Sequence, residues 1–196
     1  MPSDDSTKKR QSDANRGGAK FELYVKNSLN ENLELQRQKI RIFDGKEIIN
    51  DPGLFNQIAI PLRGYQPTGR DIDLVAVDLE KRKAIALICC TLSLHGRLPE
   101  TLFYSLLYKK IKPSLKVILA TPDKGKQKSS STWKSEWGTK KEPLKSRALA
   151  EKFLHGVYVD NAYLNNQLHL SGTTAIGGKI KPFSKLIVDL VSWKNS

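Results

Sequence analysis

The chain has 196 residues, with 33 Lys and Arg against 20 Asp and Glu, a formal net charge of +13 and 39% apolar content. That length supports one sizeable domain with a proper core, and no apolar run approaches the ~20 residues that span a bilayer. Met1 to Lys20 is polar and charged, reading as neither secretory signal nor anchor, and the only two cysteines, Cys89 and Cys90, are neighbours, which excludes a disulfide framework or a zinc cluster and suits a reducing, cytoplasmic setting.

Residues 1–16 have almost nothing to bury and read as a disordered tail; 17–196 read as a single domain. Phe21, Val25 and Leu29 share a helical face, predicting a helix from about Gly17 to Asn30. Glu22 sits at the border of that face. It is either a surface acid favoured near a helix N-terminus or a site residue. Gln38–Phe43 and Gln57–Leu62 read as strands, with turns at Asp44-Gly45 and Asn50-Asp51-Pro52-Gly53. Arg63 to Gly69 forms a loop.

The centre of the chain follows. Gly69-Arg70-Asp71-Ile72-Asp73-Leu74-Val75-Ala76-Val77 and Ala84-Ile85-Ala86-Leu87-Ile88-Cys89-Cys90-Thr91 read as two strands, the second apolar enough to be buried on both faces. The charged stretch Asp78–Lys83 makes a hairpin the economical connection. Strict alternation puts Asp71, Asp73, Val75 and Val77 on one face, and Ile85, Leu87, Cys89 and Thr91 on one face of the partner strand. Two carboxylates entering an apolar sheet are costly unless paired, hydrogen-bonded or holding a metal, so this is the leading candidate site.

Pro99 marks a helix start after the loop His95–Arg97. The stripe of this helix is Leu98, Leu102, Phe103 and Leu106, and Lys109, Lys110 and Lys112 fall at its C-terminal end, where the dipole favours cations. Leu115–Thr121 reads as a strand, so strand, helix, strand allows a parallel crossover. Pro143–Leu154 reads as a helix with Ala148 and Leu149 inward, Val157–Asp160 as a strand, Leu168–Gly178 as a loop, and Pro182–Trp193 as an amphipathic closing helix. The expected fold is α/β, a mixed central sheet flanked by helices.

Charge is concentrated between Leu107 and Lys152, which hold 13 Lys and Arg against 4 Asp and Glu. One reading is a solvated lysine-rich surface. The other is a polyanion groove, in which Lys124, Lys126, Lys128, Lys134, Lys140 and Lys141 neutralise phosphates while Trp133 and Trp137 offer planar surfaces. The stretch Lys124–Lys141 is long enough to suggest a functional loop. Cys89 and Cys90 read as small buried hydrophobes rather than nucleophiles, and His95 as either a loop histidine or a group acting on water or phosphate.

Over residues 18–121 the order of elements resembles the PD-(D/E)XK nuclease superfamily, which includes type II restriction endonucleases and the archaeal Holliday-junction resolvases. Glu22 in Gly18-Ala19-Lys20-Phe21-Glu22-Leu23 is similar to the acid of the family's first helix, and Asp73 to its strand acid. The family's (D/E)-x-K positions fall on Cys89 and Thr91, a departure that resembles the variant with a Glu-Cys-Thr strand end. The resemblance implies a restriction-endonuclease-like fold with 17–121 as catalytic core, and 122–196 as DNA-contacting and closing elements. It implies Mg²⁺-dependent hydrolysis of double-stranded DNA at a specific sequence by a homodimer, without a membrane partner. Metal ligands would come from Asp73, Asp71 and Glu22. Glu100 is the candidate for a carboxylate migrated to the following helix, and His95, Arg97 and Lys109 for the missing cation. A junction or repair nuclease, or a catalytically silent DNA-binding protein on the same scaffold, are the alternatives.

Overall fold

A computed structural model describes residues 4–61, 72–129, 132–160, 162–164 and 176–196. Its centre is a six-stranded mixed sheet. Strands β1 (Ile40–Asp44), β2 (Leu74–Asp78) and β3 (Lys83–Cys90) pair antiparallel. From β3 the sheet continues in parallel through β4 (Lys116–Thr121), β7 (Gly156–Val159) and β8 (Ile180–Pro182), in the order β1-β2-β3-β4-β7-β8. Strands β5 (Lys126–Ser129) and β6 (Thr132–Lys134) form a separate two-stranded antiparallel arm. This is the expected α/β class.

Helices cover both faces. On one side lie α1 (Asp4–Leu35) and α6 (Lys185–Lys194). On the other lie α3 (Pro52–Ile58), α4 (Leu94–Ile111) and α5 (Lys145–Phe153), while the short α2 (Gly45–Ile49) follows β1. A 3-10 turn spans Ala162–Leu164. Two apolar clusters fill the layers. Phe21, Val25, Leu29 and Leu33 of α1 meet Leu74, Ala76, Ile88 and Leu186 on one face. Val75, Leu87, Leu98, Tyr108, Leu119 and Trp137 belong to the other. A strand buried on both faces reads as an unbroken apolar run, which is why β3 was legible.

Several expectations are corrected. The first helix begins at Asp4, so it runs through most of the stretch read as a disordered tail. Extending a helix already nucleated by packing of its 21–33 half adds a hydrogen bond per residue at little cost. Residues 57 and 58 close a helix rather than opening a strand. Asp51 caps α3 by accepting from the Leu54 N–H at 3.1 Å, and Pro52 takes the first helical position, where its missing N–H is not needed. Asp44-Gly45 likewise starts α2 through an Asp44/Glu47 capping box. Pro99 lies inside α4, which starts five residues earlier, at Leu94. Helix α5 buries Arg147 and Ala150, leaving Ala148 exposed and Leu149 half-buried. The buried guanidinium of Arg147 is satisfied by Glu151 at 3.1 Å and the Gly177 carbonyl at 2.7 Å.

Alternation also fails locally. A bulge in β3, between the pairs Ala76–Ala86 and Val77–Ala84, leaves Ile85 unpaired. Ile85 therefore joins Ala86 and Ile88 on the α1 face, while Ala84, Leu87 and Cys89 face α4. Ile72 enters the same cluster as Val75, so residues 72 and 73 do not continue the two-residue repeat of β2. The loop Arg63–Gly69, Asp71 and most of Leu168–Gly178 lie outside the described residues. Among the described residues no helix is long and apolar enough to cross a membrane.

Helix α1 is held by Phe21, which is fully buried. Replacing it with Ala should cost about 3–5 kcal/mol in urea denaturation; a loss under about 1 kcal/mol would show that α1 is not clamped there.

Candidate active site

The hairpin of β2 and β3 and the two helices flanking its end bring four charged side chains together. Asp73 immediately precedes β2, and its Oδ2 accepts the Cys90 N–H at 2.7 Å. One strand thus fixes the acid of the other. Glu22 comes from α1, whose placement is set by buried Phe21, by Tyr24 donating to Asp160 Oδ2 at 2.8 Å, and by Lys26. Lys26 Nζ reaches Asp44 at 2.7 Å and Glu47 at 2.6 Å, joining α1 to the capping box of α2. Arg97 and Glu100 come from α4 and form an ion pair at 3.0 Å, the i,i+3 spacing that faces side chains together.

Glu22, Asp73, Arg97 and Glu100 line one groove of about 450 Å³, with Asp44, Lys46 and Ile72 on its walls. A recess beside it is lined by Asp73, Cys89, Cys90, Arg97, Glu100, Thr101 and Tyr104. The groove is electrostatically strained. Burial first, and then the charges of Asp73 and Asp44, push the Glu22 carboxyl from 4.5 up to about 7, against the opposing pull of Arg97 and Lys26. Burial works against the Arg97 charge, but Asp73 and Glu100 outweigh it and hold the guanidinium above its ordinary pKa. Burial, reinforced by Asp73, pushes the Cys89 thiol up to about 12, which makes it a poor nucleophile. Cys90 is raised by the same causes.

Thr91 does not supply a group to this groove. Its hydroxyl donates to the Ser93 carbonyl at 2.8 Å and accepts the Ser93 N–H at 3.1 Å, locking the chain as it enters α4. Of the residues singled out in the sequence, then, Glu22, Asp73, Arg97 and Glu100 converge, with Cys89 beside them. His95 falls in the first turn of α4; its side chain, like those of Lys126, Lys128, Trp133 and Lys134, lies outside what is described. Asp71 is outside the described residues altogether. Lys124 is half-buried, and Lys140 and Lys141 are exposed. Trp137 corrects the sequence expectation of a planar DNA contact: its ring is fully buried in the α4-side core, where an indole contributes more by excluding water than it could on a surface. Sequence reasoning missed Asp44 and Lys26. The signal was present, since Asp44-x-x-Glu47 is a capping-box pattern.

Among the described residues, no group of three or more His, Cys, Asp and Glu side chains stands ready to hold a metal. Mg²⁺ does not need one: it keeps several waters and is commonly bound by one or two carboxylates together with substrate phosphate. Glu22 and Asp73 fit that requirement. They are hard oxygen donors; burial first, and then the Asp73 charge, raise the Glu22 pKa, and a divalent cation would relieve the repulsion between the two carboxylates.

A mixed α/β sheet with acids gathered at the open end of its central hairpin defines a restriction-endonuclease-like fold. The family model for BsaWI restriction endonuclease type 2 matches residues 45–189, and the chain belongs to that family of type II restriction endonucleases. The matched span contains Asp73, Arg97 and Glu100; Glu22 lies before it. A comparison with curated proteins gave no match.

The Glu22 shift has a definite sign. Folding favours its protonated form, so its contribution to stability is intact below pH 4.5 and is lost as pH rises through about 7. In EDTA, wild type should lose about 1 kcal/mol relative to Glu22→Gln between pH 4.5 and pH 8, a figure discounted for solvent screening of this half-buried group. Parallel pH–stability curves for the two proteins would refute the coupling.

Proposed function

We propose that the chain is a Mg²⁺-dependent endonuclease that cuts double-stranded DNA at a specific sequence, acting as a cytoplasmic homodimer on a variant PD-(D/E)XK site. The observation that carries this reading is the meeting of Glu100 with Asp73 and Glu22 on one groove, beside a strand end whose Cys89 offers no carboxylate. Glu100 stands in for that missing acid from the following helix.

Asp73 and Glu22 would hold the metal. When bound, Mg²⁺ supplies polarisation of the phosphodiester and a water of lowered pKa. Arg97 replaces the cation absent at Thr91. Its guanidinium cannot act as a base, but its planar fork suits the non-bridging oxygens of the scissile phosphate and the charge that develops on them. Residues 17–121 form the catalytic core. The basic stretch after β4, including Lys124, Lys126, Lys128, Lys134, Lys140, Lys141 and Trp133, holds the DNA backbone. A two-fold dimer matches the symmetry of a palindromic site. The altered Cys89 and Thr91 favour one rival reading, a silent DNA-binding protein on this scaffold, and shape-reading of branched DNA is the other.

Incubation with long, sequence-diverse duplex DNA separates these readings. Discrete fragments that require Mg²⁺, vanish in EDTA and fall at least about 100-fold in Asp73→Ala are the expected result. Intact duplex with a clear mobility shift makes the silent binding protein correct, and cleavage confined to branched substrates makes it a junction nuclease. Arg97→Ala should lower kcat by about 100-fold, with partial recovery in Arg97→Lys. Equal rates in Arg97→Ala and wild type would remove Arg97 from the site.

A further inference from the structure

Among the described residues, the β5–β6 arm forms its own two-stranded ladder, separate from the main sheet. Its feet, however, are gathered on one buried carboxylate. Asp123, two residues beyond the end of β4, is 1% exposed. Its Oδ1 accepts the Gly125 N–H at 3.2 Å on the entering side of the arm and the Glu136 N–H at 2.9 Å on the leaving side. Its Oδ2 accepts the Ser135 hydroxyl. Ser135 Oγ in turn accepts the Trp137 N–H at 3.1 Å, and Trp137 is anchored in the core. Gly125 sits at φ +64°, a left-handed turn that suits glycine and lets the chain leave the sheet abruptly.

A buried carboxylate with this many donors is expensive to replace, because each amide left behind loses its partner inside the protein. It does not touch the groove of Asp73 and Glu22. What it holds is the angle at which a lysine-bearing arm leaves the carboxyl end of β4. We infer that Asp123, with Ser135, is a positioning residue that aims the β5–β6 arm at the phosphate backbone of bound duplex DNA. The inference rests on the DNA-cutting reading above and extends it to residues with no direct role in chemistry.

The test measures duplex binding by the full chain in EDTA, over a range of salt, using one sequence-diverse duplex throughout. Four proteins are compared with wild type: Asp123→Ala, Asp123→Asn, Ser135→Ala, and an arm variant carrying Lys126→Ala, Lys128→Ala and Lys134→Ala. Each lost phosphate contact removes about 0.9 from the slope of log K against log salt, so the arm variant should lose about two units or more. Asp123→Ala should bind about tenfold more weakly with a similarly flattened slope. Combining it with the arm variant should add little. Asp123→Asn keeps an acceptor for both amides and should recover much of the slope. A merely structural role lowers the melting temperature and leaves the slope alone, so Asp123→Ala with weakened binding at full slope overturns the inference, as does unchanged binding. If Asp123→Ala does not fold, Ser135→Ala decides by the same slope: a flattened slope supports the inference and a full slope overturns it. If the arm variant itself binds as wild type, it is the reading of the arm as a DNA contact that fails.

Discussion

The hydrogen bond from the Cys90 N–H to Asp73 Oδ2 ties the acid at the head of β2 to the end of β3. Because β3 is buried on both faces and paired on both edges, its backbone is among the least mobile parts of the molecule. Asp73 inherits that rigidity. Helices α1 and α4 then approach the same point from opposite faces of the sheet, and the side chains they bring are placed relative to a fixed carboxylate. A site whose supports are regular elements holds geometry better than one built on loops.

The cost of that convergence is electrostatic. Glu22 and Asp73 raise one another's charge problem, and Asp44 adds to it. Only part of the excess is neutralised within the groove. Arg97 is shared between Asp73 and Glu100, and Lys26 is engaged by Asp44 and Glu47 at the rim. On the proposed reading the groove would receive positive charge near Glu22, and the basic stretch after β4 would receive negative charge. A metal-bound polyanion would satisfy both demands at once, which neither a free anion nor a free cation does.

Much of this was legible in the residues. The apolar run of β3, the charged hairpin Asp78–Lys83, and the i,i+4 series Phe21, Val25 and Leu29 each reflect one burial constraint, and each led to the correct element. Glu22 and Asp73, singled out as acids beside apolar faces, line one groove, although Asp73 does not continue the alternation used to place it. What was misread depends on contacts between distant segments. Ile85 changed face because β2 and β3 slip by one residue. Trp137 looked like a surface ring because its neighbours are lysines and serines, whereas the core that takes it up is built by residues such as Leu98 and Leu119. Ala148 and Leu149 were read as inward where Arg147 is the buried residue, because its partners, Glu151 and the Gly177 carbonyl, include one 30 residues away. No window of local periodicity contains that information. Asp51-Pro52 and Asp44-x-x-Glu47 are different: both were local signals, and both describe helix starts as well as turns.

The small bonding loop between Thr91 and Ser93 bears on which substitutions the end of β3 tolerates. The Thr91 hydroxyl is engaged at the entry of α4, the same helix that carries Arg97 and Glu100. Placing an acid at Cys89 and a lysine at Thr91 are therefore not equivalent changes. The first adds a carboxylate to a recess that already holds Asp73 and Glu100. The second removes the Thr91–Ser93 bonds at the start of α4, and so disturbs the helix that carries Arg97 and Glu100. One hydroxyl thus couples the end of β3 to the helix that carries Arg97 and Glu100.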